Sequence, residues 1–302
     1  MNKSSPPLIQ SADITCPCRV KNPSTAAINA AEGPFLKWVG SKRRLLPQLL
    51  PLLPSGKRLV EPFVGAGSIF MAADFPNYLL ADSNATLINL YSLLQNEPSG
   101  VIERARSLFV TDNCNQSAYN ALRSKFNAAS TTEDERAALF IYLNKFAFNG
   151  LYRVNKRGEM NAPFAHHTAV PGFPAPALNG FARRLKRAAL LCSDYEGTMR
   201  EARAGDVVYC DPPYLKLECG RETFTSYATN GFSVQEHEKL ASRARELAVN
   251  GIPVVVSNHD SPFTRRLYAG AKLHVLSTYR SISGKSGSQC EVPELVAVFN
   301  GR

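Results

Sequence analysis

The chain alternates between two hydrophobic periods. Short apolar runs closed by glycine, proline or an acid predict buried parallel strands at 58–63, 78–81, 206–210 and 253–257, with a further one ending at Cys192. Between them apolar residues recur at helical spacing. Leu87, Leu90, Tyr91 and Leu94 mark a helix over 84–95, and amphipathic helices follow at 101–109, 118–126 and 135–148. Ser233 and Glu236 form a capping box that starts a helix ending near Gly251, and 272–279 with 294–299 reads as a closing hairpin joined by the loop 284–288. Strands alternating with helices predict an α/β fold, interrupted by an inserted helical stretch and a loop-rich basic segment at 149–176. Residues 1–33 show no sustained period and read as a disordered leader.

Composition narrows the class. A chain of 302 residues, 44% of them apolar, can bury a full core, yet no stretch approaches the roughly 18 apolar residues of a membrane helix. The net charge of +10 favours a polyanionic partner. Seven cysteines without a Cys-x-x-Cys pair argue against both a disulfide framework and a zinc site. Cys192 and Cys210 lie in apolar strands and are expected to be small buried hydrophobes. A reducing compartment, most simply the cytoplasm, and a metal-free protein follow.

Three stretches carry the chemistry. The strand 206–210 delivers Asp211-Pro212-Pro213-Tyr214 to the carboxyl edge of the sheet, where open α/β folds bind ligands. The prolines fix φ and donate no N–H, so their carbonyls are free to face a ligand. Asp211 and the Pro212 carbonyl then accept from an exocyclic amino group while Tyr214 stacks on the ring, although Asp-Pro-Pro also makes an ordinary strand-ending turn. Upstream, Val64-Gly65-Ala66-Gly67-Ser68 joins a strand to a helix. It lacks the third glycine of a pyrophosphate cradle but lets a ligand approach the backbone. The next strand ends in Asp82, suited either to ribose hydroxyls or to capping the following helix. Finally, Lys145, Arg153, Lys156 and Arg157 interleave with Phe146, Phe148 and Tyr152, a pattern for phosphates and bases or else a solvated basic loop. Asn258-His259-Asp260 has the look of a catalytic trio but is read as a helix cap.

Taken in order, Phe35-Leu36-Lys37-Trp38, Glu61-Pro62-Phe63-Val64-Gly65-Ala66-Gly67-Ser68, Phe148-Asn149-Gly150-Leu151 with Arg153, Asp211-Pro212-Pro213-Tyr214 and Ser257-Asn258-His259-Asp260 closely resemble the Dam family of DNA adenine-N6 methyltransferases over about residues 35–300. Ser41 stands where that family often has a second glycine, and Phe148 where it often has tyrosine. The resemblance implies a Rossmann-like S-adenosylmethionine-dependent methyltransferase sheet, with 34–84 and 177–302 as the catalytic domain and 85–176 as a mostly helical DNA-recognition domain. It implies S-adenosylmethionine at Trp38, Lys42, Phe63, Gly65, Gly67, Asp82, Tyr195 and Asp211, and catalysis at Asp211, Pro212, Pro213 and Tyr214. DNA contacts are implied at Lys37, Lys145, Phe148, Asn149, Leu151, Arg153 and Pro163. The expected reaction is methylation of adenine in GATC in double-stranded DNA, by base flipping and in-line transfer without a metal, by a monomer. The rivals are an RNA or protein-amide methyltransferase, a restriction-associated methylase with another target, and a non-catalytic DNA-binding remnant.

Overall fold

The computed structural model describes residues 33–214, 217–218, 221–222, 232–281 and 289–301. The expected leader, apart from Gly33, and the loop 284–288 lie outside the described residues. A seven-stranded sheet forms the framework, with strands β1 (Arg58–Glu61), β2 (Asn77–Asp82), β3 (Ala188–Cys192), β4 (Asp206–Cys210), β7 (Val254–His259), β8 (Lys272–Ser281) and β9 (Gln289–Phe299). Their order is β3-β2-β1-β4-β7-β9-β8, and β5 (Leu217–Glu218) pairs separately with β6 (Arg221–Glu222). The first five strands in that order run parallel, while β9 is antiparallel to both β7 and β8.

The apolar runs become strands because both faces of the sheet are covered. Leu59, Val207, Tyr209 and Val255 join one core, while Val60, Val208, Val254 and Val256 join a second on the opposite face. Helices α8 (Tyr195–Arg200), α9 (Val234–Val249) and α10 (Pro262–Leu267) follow β3, β6 and β7. The other face carries α1 (Leu46–Leu49), α2 (Ser68–Ala72), α3 (Ala85–Asn96) and α7 (Ala175–Leu185). Between α3 and α7 the chain leaves the sheet as α4 (Pro98–Ser107), α5 (Gln116–Asn127) and α6 (Glu133–Phe146). α6 is buried from Ala137 to Asn144 and at Phe146, and its Phe140, Ile141 and Tyr142 share one continuous core with Phe70 and Tyr78 beneath the sheet. α3 touches β2 and β3 as well as α6 and α7, so it bridges the sheet to the helical insertion.

Several local readings change. The helix after β7 is capped by Ser261, in a reciprocal box with Thr264, and not by 258–260; Asp260 instead forms a two-pronged pair with Arg265 at 2.6 and 2.7 Å. Ser233 caps α9 through the Glu236 N–H, but the Glu236 carboxylate turns outward to the Tyr195 hydroxyl at 2.8 Å and to Lys239. Cys210 is buried as expected, whereas Cys192 is exposed because it ends the edge strand β3. Arg184 of α7 turns inward and donates to the carbonyls of Phe70 and Ala73.

Candidate active site

Parallel strands deliver their last residues to one edge, and here that edge is acidic. Glu61 ends β1, Asp82 ends β2 and Asp211 follows β4. β9 runs the other way, so Glu294 near its middle pairs in register with His259 and reaches the same edge. Lys42, from the segment before α1, is buried among these groups. Its Nζ lies 2.7 Å from Asp211 Oδ1, 3.5 Å from Glu294 Oε1 and 3.0 Å from the Gly40 carbonyl. It also sits 4.7 Å from the centre of the Tyr214 ring, whose hydroxyl donates to Glu294 Oε1 at 2.8 Å. Lys42 and Glu294 therefore fix one oxygen of Asp211 and the tilt of Tyr214. The Asp211-Pro212-Pro213-Tyr214 stretch lies outside any helix or ladder, in keeping with two prolines that donate no N–H.

Burial sets the protonation of this edge. Glu61 is pushed from 4.5 to about 8, first by burial and then by the Asp211 charge, against the Phe70 N–H and Arg184. Its Oε1 is buried without a hydrogen-bond partner. Burial also raises Glu294, opposed by Lys42, and holds the Tyr214 and Tyr209 phenols well above their usual range, with Asp211 adding to both. Behind the edge, burial pushes His237 of α9 down to about 4, so it is neutral at pH 7.

The glycine turn is shaped for close approach. Gly65 and Gly67 have φ of +47° and +71°, and a Cβ at Gly65 would stand 2.9 Å from the Trp38 ring. Asp82 does not cap α3, a task taken by Asn84; its two oxygens accept the Gly65 N–H at 3.1 Å and the Asn84 N–H at 3.0 Å. Burial raises the Asp82 pKa against these two donors. Trp38 lies nearly parallel to Tyr152 at 5.6 Å and to Phe140 at 6.3 Å, while on the other side Phe63 stacks on Tyr195 at 5.7 Å. The structure thus brings Trp38, Lys42, Phe63, Gly65, Gly67, Asp82, Tyr195 and Asp211 to the ends of β1, β2, β3 and β4.

The residues expected at DNA gather on a second surface. After α6 the chain makes a tight turn in which Asn149 and Gly150 adopt φ of +54° and +66°. The turn is tied to the following loop by the Phe148 N–H on the Pro163 carbonyl at 2.9 Å and by a bridge between Ala147 and Phe164. Phe148 is 54% exposed, an uncommon position for phenylalanine. Arg153 is aimed by Asn161, whose Oδ1 and carbonyl accept from it at 2.7 and 3.1 Å. Lys145, half-buried at the end of α6, is pushed down to about 8 by burial and then by the Lys37 charge. Lys37, Phe148, Asn149, Leu151, Arg153 and Pro163 are therefore neighbours around one loop.

Sequence reasoning quoted Glu61 within a motif without giving it a role, and did not single out Glu294 or Asn144. An acid inside the apolar run Val292 to Phe299 was the available signal for Glu294, since glutamate is rarely buried without a partner.

Residues 38–282 match the family model of the D12 class N6 adenine-specific DNA methyltransferases. The chain belongs to this family of enzymes, its fold is the methyltransferase α/β sheet, and its substrate is adenine in DNA. It is 44% identical to a DNA adenine methylase of Vibrio cholerae over 266 residues, covering 88% of this chain and 95% of that protein. Similar proteins named DNA adenine methylase come from Salmonella typhi, 44% identical over 267 residues, and Escherichia coli K12, 43% over 265, each covering 88% of this chain and 94% of the relative. Among the described residues no helix is long and apolar enough to cross a membrane.

Proposed function

We propose that the enzyme transfers the methyl group of S-adenosylmethionine to N6 of the adenine in GATC, after turning that base out of the duplex. The observation that carries this reading is the junction at Asp211, where a carboxylate, a proline carbonyl and an aromatic ring meet beside an acidic edge and a glycine turn. S-adenosylmethionine suits these residues. It is a cation without phosphate, and the edge sets the carboxyls of Asp82, Asp211 and Glu294 against Lys42, with the Glu61 carboxyl held neutral, a balance that disfavours a nucleotide phosphate. In this reading Phe63 and Tyr195 flank the adenine, the second lone pairs of Asp82 accept ribose hydroxyls, and Trp38, Lys42, Gly65, Gly67 and Asp211 border the rest. Bound there, the cofactor supplies a methyl carbon on a sulfonium, electrophilic without further activation.

The protein's task is then to present the nucleophile. Adenine N6 is weak because its lone pair is delocalised into the ring. Asp211, with one oxygen held by Lys42, and the Pro212 carbonyl accept the two amino protons, which favours a pyramidal nitrogen and aims its lone pair along the transfer axis. Pro213 restricts the backbone and Tyr214 stacks on the base. Phe148 and Asn149 fill and hold the gap left in the duplex. Lys37 reads the first guanine, Leu151 and Arg153 the later base pairs, Pro163 meets the thymine methyl, and Lys145 lies beside the DNA. Residues 85–176 form the recognition unit, and 34–84 with 177–302 the catalytic one. The enzyme works as a cytoplasmic monomer without a metal.

The test is to treat unmethylated DNA with protein and cofactor and to map methyladenine by sequence context. Asp211→Ala should abolish transfer while the fold survives, and turnover within about tenfold of wild type would sink the assignment. Arg153→Ala should relax preference at one base pair. Uniformly weaker methylation with unchanged preference ratios would make Arg153 a backbone contact instead.

A further inference from the structure

Asn144 is a buried polar residue, 2% exposed, in the last turn of α6. A primary amide offers two donors and one acceptor site that matter in a tight interior, and Asn144 uses all three. Its Oδ1 accepts the Lys37 N–H at 2.9 Å, and its Nδ2 donates to the Lys37 carbonyl at 2.7 Å and to the Gly150 carbonyl at 3.0 Å. One side chain thereby pairs both backbone groups of Lys37, as a neighbouring strand would, and spends its remaining proton on the turn that carries Phe148 and Asn149. The two segments also touch directly. A Cβ placed on Gly150 would stand 2.4 Å from the Lys37 Cβ, and the φ of +66° there already favours glycine. Meanwhile the Lys37 side chain is exposed, so its backbone is fixed and its amine is free.

We propose that Asn144 is a positioning residue that locks the base-reading segment at Lys37 to the base-displacing turn at 148–150, so that reading the first base pair and opening the duplex occur as one motion. The proposal rests on the roles given above to Lys37, Phe148 and Asn149. It explains why a polar group is kept on the inner face of a helix whose other inward residues are apolar. It also means that a mismatch at the first base pair penalises displacement of the adenine through the same rigid body, which is how a single lysine contact would gain influence on the transfer step.

The experiment compares wild type, Lys37→Ala, Asn144→Ala and the isosteric Asn144→Asp, each well below its own melting temperature. The readouts are kcat/KM on GATC and on duplexes with the first guanine replaced, and the fluorescence rise of 2-aminopurine placed at the target adenine. The Asp variant keeps the acceptor for the Lys37 N–H but sets an oxygen against the two carbonyls, so it reports even where the Ala variant does not fold. Both Asn144 variants should lose first-base preference by about tenfold or more, with preference at the other positions retained, and should show a reduced 2-aminopurine signal. A merely structural asparagine would lower the melting temperature and scale all rates together. If Lys37→Ala loses first-base preference while the folded Asn144 variants keep it within about twofold, the inference is overturned and the Lys37 reading stands. If Lys37→Ala itself keeps that preference, both fall.

Discussion

Glu61 gives the sharpest test of the electrostatics at the sheet edge. The side chain is fully buried at the end of β1, with the Phe70 N–H on its carboxyl and its Oε1 unpartnered, and its pKa rises from 4.5 to about 8. Between those two values the folded chain keeps a proton that the unfolded chain has released. The contribution of Glu61 to stability is therefore complete below pH 4.5 and is lost as pH rises towards 8. At about 1.4 kcal/mol per pH unit the loss amounts to roughly 5 kcal/mol, comparable with the whole net stability of many domains. Glu61→Gln keeps the shape and has no proton to lose. Urea unfolding followed by circular dichroism, at several pH values from about 5 to 9, should show the two proteins nearly equal at the acid end. The variant should be more stable by several kcal/mol at pH 8. Glu294 and the other shifted groups titrate in both proteins and cancel in the difference. Parallel stability curves, or a variant less stable at pH 8, would show that the Glu61 carboxyl is not held protonated by its surroundings.

Two further outcomes follow from pairs already described. Lys145, depressed to about 8, loses its charge early in the free protein, so affinity for duplex DNA should fall as pH rises above 8; Lys145→Arg, always charged, should flatten that fall, which fluorescence anisotropy against pH will read. Tyr214→Phe removes the donor to buried Glu294 while keeping the ring, and should lower stability by about 1–3 kcal/mol with a smaller loss of turnover than Tyr214→Ala, measured by urea unfolding and methyl-transfer assays.

Much of this architecture was written in local patterns. Parallel strands must end on one edge, so reading 58–63, 78–81 and 206–210 as strands was enough to gather the glycine turn, Asp82 and Asp211. The helices 84–95 and 118–126 fell within two residues of α3 and α5 for the same reason, because their apolar stripes are local facts. What escaped was set by long-range contact. Lys42 meets Asp211 across the fold, and Asn144 meets Lys37 107 residues away. Glu294 reaches the edge only because β9 is antiparallel, and Cys192 is exposed only because β3 is an edge strand. No window of sequence contains those facts. The cap at Ser261 escaped for a smaller reason: three polar residues preceded it, and geometry chose the fourth.

Trp38 is the only tryptophan in the chain. Its indole leans on Gly65 and lies nearly parallel to Tyr152 of the loop after α6, 5.6 Å away. Light absorbed by Tyr152 therefore drains towards the one indole emitter beside it. The intrinsic fluorescence of the unlabelled enzyme is a local gauge, not an average over the molecule. Filling the space beside the glycine turn and moving the loop that carries Tyr152 will each change that emission in its own way, the first through the polarity around the indole and the second through energy transfer. A stopped-flow trace can then separate the order of the two events.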